Sequence, residues 1–141
     1  MILDQALSES LMRSDLVTLP IILCFFTGGM PIHAAPMLRE PAPPIGMAFD
    51  LSFADTLERA ISINPAVHDG AILIGRETAS SSYSVAGWSY RLLPPPVTTA
   101  IPNKGSAFNS CLAMSAISEI DALYLFRREG LSVFQAGALI S

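Results

Sequence analysis

The sequence predicts one α/β domain, a mixed β-sheet flanked by helices. Three observations predict it. Short apolar runs such as Ala71–Gly75 (AILIG) read as strands covered on both faces. The stretch Asp50–Ile63 sets Phe53, Leu57, Ala60 and Ile61 at helical spacing, facing a core. Helical and strand patterns also alternate along the chain, the order that stacks helices on a sheet. A length of 141 residues suits a single compact unit.

The elements follow in order. Residues 1–15 predict a short amphipathic helix with Ile2, Ala6 and Leu7 on one side. Residues 16–26 (LVTLPIILCFF) predict a buried strand. They are too few to span a bilayer and contain Pro20. The acidic residues Asp4, Glu9 and Asp15 ahead of them argue against a secretory signal, which wants positive charge there. Thr27–Gly29 is a turn signal, and residues 31–46, with five prolines, predict a loop. Ser52 with Asp55 suggests a capping box for the Asp50–Ile63 helix, which stops at Asn64-Pro65 because proline pushes its predecessor out of the helical region. Strands are predicted at 71–75 and 82–93, and Pro94–Pro96 force an extended segment. Gly105–Ile120 predicts a helix of small residues. Asp121–Phe126 and Leu131–Gly137, joined by Arg127–Gly130, predict the clearest hairpin in the chain. Residues 1–47 and 48–141 differ in character, and the expectation is that they fold as one domain.

Composition narrows the function. About half the residues (51%) are hydrophobic and 14% are charged, so disorder is disfavoured. The net charge is -4 and the basic residues are scattered, which disfavours a nucleic-acid polymer as partner. A single nucleotide is compatible, since backbone N–H groups or a metal can hold phosphates. Cys24 and Cys111 sit far apart among apolar residues and predict two buried thiols in a reducing, cytoplasmic compartment. No membrane span is expected. A P-loop, a dinucleotide glycine fingerprint, a zinc spacing and a nucleophile–histidine–acid set are all missing. Trp88, Tyr83 and Tyr90 are expected in the core rather than stacked on a base.

One stretch asks for more than scaffold. Asn64–Gly75 (NPAVHDGAILIG) puts His68, Asp69 and Gly70 at the mouth of a buried strand that needs none of them. With its flanks, Glu58–Ile74 resembles the diadenylate cyclase domain family, in which an Asn-x-x-x-His-Asp-Gly-Ala stretch leads from a helix into a central strand. Ala116–Gly137 is similar to that family's end, with a Ser-Glu pair, an Asp-Ala strand and a Ser-containing hairpin strand. The likeness covers roughly residues 48–140.

The resemblance implies a diadenylate cyclase-like sheet and a reaction in which two facing domains, each holding one ATP, make cyclic di-AMP with Mg²⁺ or Mn²⁺. A homodimer or larger homo-oligomer is thereby implied. Asp69 would be the catalytic residue and metal ligand. Gly70 and Ala71 would let backbone approach the nucleotide, Leu93 and Pro94 would lie beside the adenine, and Gly105 and Ser106 would meet phosphate. Glu129 is the surviving member of a second acidic site. A carboxylate suits Mg²⁺, and a metal stabilises the transferring phosphoryl group and lowers the pKa of the attacking hydroxyl.

The departures weigh as much. Active members carry Gly-Thr-Arg-His-Arg where this chain has Gly105-Ser106-Ala107-Phe108-Asn109. Both arginines and the histidine are gone. The family's Ser-Glu-Glu reads Arg127-Arg128-Glu129. Electrostatic clamps on a phosphoryl group are worth ~10³-fold in rate or more, so turnover should be weak or lost, while binding is less demanding. The expected function is a degenerate sensor of ATP or cyclic di-AMP. An active cyclase with altered phosphate contacts and an interaction module that has lost its ligand are the alternatives.

Overall fold

The computed structural model describes residues 3–14, 19–96 and 101–141. The order is α1 (Gln5–Arg13), β1 (Ile21–Thr27), β2 (Ala34–Pro36), α2 (Phe53–Ile63), a 3₁₀ turn (Pro65–His68), β3 (Ala71–Arg76), β4 (Ser84–Leu92), α3 (Ser106–Met114), β5 (Ile120–Arg127), β6 (Gly130–Gln135) and β7 (Ala138–Leu139). Seven strands form one sheet in the order β2-β4-β3-β1-β5-β6-β7. Only β1 and β3 run parallel, with Ile22 opposite Ala71 and Thr27 opposite Arg76. The other pairings are antiparallel. The fold is mixed α/β, as the alternation of periods predicts.

Strand alternation explains the layers, because successive side chains leave a strand on opposite faces. From β1, Ile21, Leu23 and Phe25 enter a core with Leu7 and Leu11 of α1 and Phe53, Leu57 and Ala60 of α2. Cys24 and Phe26 enter a second core with Phe108, Cys111, Leu112 and Met114 of α3. Strands β3 and β5 divide their side chains between the same two cores. The central strands are therefore buried on both faces and need the continuous apolar runs seen in the sequence. Phe25 anchors the first core, with edge-on rings of Phe49, Tyr83 and Tyr124 at 5.0, 5.2 and 5.5 Å. Trp88 is also in this core, and its indole N–H donates to the Pro44 carbonyl at 2.8 Å.

Several local expectations are corrected. The first helix spans Gln5–Arg13, with Asp4 as its N-cap. Ile2 and residues 15–18 lie outside the described residues, and the strand runs Ile21–Thr27. The proline-rich loop contains β2, which pairs with β4 at the sheet edge, the position where a strand tolerates proline. The Ser52–Asp55 capping box does not form. Asp50 instead accepts from the Ser52 amide at 2.8 Å and from its hydroxyl. These bonds hold the Asp50 carboxyl below its usual range. The small-residue helix stops at Met114 rather than Ile120. There the buried Ser115 hydroxyl donates back to the Leu112 carbonyl at 2.7 Å and accepts from the Gly137 amide at 3.1 Å, tying the helix end to the β6–β7 turn.

Candidate functional site

Strand register gathers the sequence-predicted residues at one end of the sheet. Ala71 opens β3 opposite Ile22 of β1 and Tyr90 near the end of β4. Ile21 lies opposite Phe126, so the β5–β6 turn is at the same end. A cavity of about 220 Å³ opens there, lined by Ile22, Met37, Gly70, Arg91, Leu92, Ser106, Ala107 and Ser110.

The entry to β3 is built by local capping. Asn64 ends α2 and starts the 3₁₀ turn, accepting from the Ala66 amide at 3.0 Å and donating to the Pro41 carbonyl at 3.1 Å. His68 Nδ1 is 2.6 Å from the Pro65 carbonyl oxygen. That oxygen can only accept, so the ring proton sits on Nδ1. Asp69 closes the turn through its amide to the Ala66 carbonyl at 3.0 Å. Gly70 then takes φ +74, and a Cβ there would collide with the Tyr90 carbonyl and the Met37 methyl. The room beside Gly70 is filled by the protein's own chain.

The Asp69 side chain is 56% exposed. Its Oδ2 is 3.4 Å from Arg39 Nη2 and its Oδ1 is 3.4 Å from His68 Nε2. Ser89 links the parts. It is fully buried with φ +60, on the stretch of β4 where the register against β3 shifts. Its hydroxyl donates to the Asp69 carbonyl at 2.9 Å and accepts from Arg39 Nε at 3.0 Å, and its carbonyl accepts from the Met37 amide at 2.9 Å. Bulges of this kind re-aim side chains beside sites.

Gly105, at φ +85, takes the N-cap of α3 and Ser106 is its first helical residue. No side chain caps that helix start. Asn109 folds back on the preceding loop through Ile101 and the Gly105 carbonyl. Leu93 is 47% exposed, its amide donating to the His33 carbonyl at 2.7 Å. Leu92, rather than Leu93 or Pro94, lines the cavity. Glu129 sits 3.8 Å from Arg127 Nε. The Arg127 and Lys104 cations lie over the Phe108 ring at 5.7 and 5.6 Å.

The sequence motif thus contributes Gly70 and Ser106 to one cavity. Met37, Arg39, Ser89 and Arg91 complete the end and were not anticipated. Arg91 alternates outward on a predicted strand and so carried a weak signal. Arg39, in a proline-rich loop, carried none. Arg91 in the cavity wall, Arg39 beside Asp69, and Lys104 and Arg127 over Phe108 bring cations to this end of the acidic chain. Among the described residues, no group of three or more His, Cys, Asp or Glu is placed to hold a metal ion. Asp69 is a lone carboxylate with a guanidinium beside it, and that donor set does not fit a resident Mg²⁺ or Mn²⁺.

Other hollows lie elsewhere, and two of them bear comparison with this one. One of about 530 Å³, at the opposite end of the sheet, is lined by Gly28, Gly29, Arg76 and Ser81 among others. Its Arg76 is already engaged by Thr27, the Ala79 carbonyl and the Tyr83 ring. The second, about 210 Å³ and mostly apolar, lies between α2 and Trp88. Neither combines an unpaired cation with a helix start.

No family model and no curated protein matches the chain. Among described residues, no helix is long and apolar enough to cross a membrane. The chain is similar to a solved structure, the hypothetical membrane spanning protein from Bacillus cereus, with TM-score 0.61, 14% identity and 95% of this chain covered. It spans 58% of the length of that protein. At that identity the likeness establishes the shared mixed α/β fold and nothing about activity.

Proposed function

We propose that the chain is a diadenylate cyclase-like nucleotide-binding domain that acts as a sensor of ATP or cyclic di-AMP, with little or no turnover. One observation carries the reading. Gly70, from the stretch that resembles that family, and Ser106, a hydroxyl at the position of the family's threonine, line the same cavity. Arg91 supplies a cation on its wall, and the uncapped start of α3 adds amide donors. Weak catalysis follows from chemistry. Ala107 and Asn109 stand where the family carries its phosphate-binding arginines, and a phosphoryl transfer without such clamps loses ~10³-fold or more.

The test is calorimetric titration of the full chain with ATP and with cyclic di-AMP, alongside a product assay at high protein concentration. The reading expects saturable binding tighter than about 1 mM and no cyclic di-AMP. Absence of binding for both ligands would remove it.

A further inference from the structure

We infer that Arg39 is the built-in counter-cation of Asp69, so that this site takes its phosphate-bearing ligand without a divalent metal. The inference rests on the nucleotide reading above and departs from the family's metal-assisted pattern on the geometry of this chain.

The first argument is occupancy of the carboxylate. Asp69 Oδ2 faces the Arg39 Nη2 donor at 3.4 Å, whereas Oδ1 lies 3.4 Å from His68 Nε2, which in the Nδ1–H tautomer has no proton to donate, so the arginine is the partner that holds the carboxylate. A Mg²⁺ ion binds carboxylate at about 2.0–2.1 Å in near-octahedral order. At Oδ2 it would meet a fixed positive charge, and among the described residues no group of three or more His, Cys, Asp or Glu is placed to outweigh it.

The second argument is that the arginine is fixed. Surface ion pairs between long side chains are weak because both partners must be immobilised. Arg39 is anchored at a second point, its Nε donating to the Ser89 hydroxyl at 3.0 Å. That hydroxyl also bonds the Asp69 carbonyl, and the Ser89 carbonyl holds the Met37 amide two residues before Arg39. Ser89 itself is fully buried. One side chain thus sets the positions of the guanidinium and of the backbone that carries the carboxylate.

The third argument is the charge of the cavity. Among the described residues, its only charged lining residue is Arg91. An unneutralised Asp69, next to Gly70, would repel a polyphosphate at that mouth, and a bridging metal is the usual remedy. Arg39 removes the repulsion in advance. Guanidinium also suits phosphate through paired donors at fixed geometry.

The experiment compares ATP binding to the full chain in excess EDTA and in Mg²⁺ or Mn²⁺, by calorimetry, for the native protein, Arg39→Ala and Arg39→Lys. The native protein should bind in EDTA within about threefold of its affinity with metal. Arg39→Ala should lose about tenfold in EDTA and recover part of that with Mn²⁺; Arg39→Lys should fall between them. Native binding that requires a divalent ion would overturn the inference and leave the nucleotide reading standing. Equal binding by native protein and Arg39→Ala in EDTA would overturn it too. Failure of the native protein to bind in either buffer would bring down the nucleotide reading and this inference with it. The native arms need no variant, so a misfolded substitution cannot mask the answer.

Discussion

Arg39 and Asp69 pair at 3.4 Å across thirty residues of chain, joining the proline-rich segment to the entry of a central strand. The pair is half open to water, so its direct worth to stability is about 0–1 kcal/mol. Arg39→Ala should therefore shift urea unfolding by less than about 1 kcal/mol. Ser89 carries more. Removing its hydroxyl in Ser89→Ala leaves buried partners unsatisfied and should cost about 1–3 kcal/mol. Ser89→Gly should cost less than Ser89→Ala, because glycine accepts φ +60 freely. The reverse order would contradict backbone strain at this position.

Gly70 and Gly105 separate two reasons for glycine. Both have positive φ, but a Cβ on Gly70 strikes the Tyr90 carbonyl whereas one on Gly105 meets open space. Backbone strain alone costs about 1–3 kcal/mol. Gly105→Ala should stay in that range by chemical denaturation. Gly70→Ala should exceed it, because the obstacle is partly backbone of the paired strand and cannot move aside alone.

Asp121 is the polar hub at the opposite sheet end. Its Oδ2 accepts from the Thr27 and Tyr83 hydroxyls, each at 2.6 Å, and lies 3.8 Å from Arg76 Nε. Desolvation and the neighbouring carboxylate push the Tyr83 phenol up. Asp121→Ala leaves the Thr27 and Tyr83 hydroxyls without their acceptor and should cost about 2–4 kcal/mol, whereas Tyr83→Phe should cost about 1 kcal/mol. Equal losses would mean that the tyrosine bond carries the hub.

Both thiols are buried and unpaired. Burial is the main cause that lifts Cys24 and Cys111 from the ordinary 9.0 to about 12. Between those two values the unfolded chain releases thiol protons that the folded chain keeps, so stability should fall as pH rises from about 9 towards 12 and be indifferent to these groups below that window. Native protein at pH 8 should react slowly with a thiol probe and quickly once unfolded in urea. Fast native labelling would contradict the burial.

The fold was legible where a period was long or a turn signal sharp. Arg127–Gly130 announced the β5–β6 hairpin, and Phe53, Leu57 and Ala60 announced α2. Strand β2 was not legible, since three residues ending in Pro36 carry no pattern and gain their pairing only from β4. The end of α3 was misread because Ser115 resembles its helical neighbours in composition, and only its tertiary bonds to Leu112 and Gly137 stop the helix. Of the site, the Asp69–Gly70 entry could be singled out by chemistry. Its partners Met37, Arg39 and Ser89 could not, because their meeting depends on a strand register shift with no local signature.

The central claim is that the hollow between Gly70, Arg91 and Ser106 is where an adenine nucleotide docks. Amide shift perturbation during ATP titration of the isotopically labelled full chain tests it most directly. The account predicts saturating shifts concentrated at Gly70, Ala71, Arg91, Leu92, Ser106 and Ala107. Shifts centred instead on Gly28, Gly29, Arg76 and Ser81, or none up to about 1 mM ATP, would contradict it.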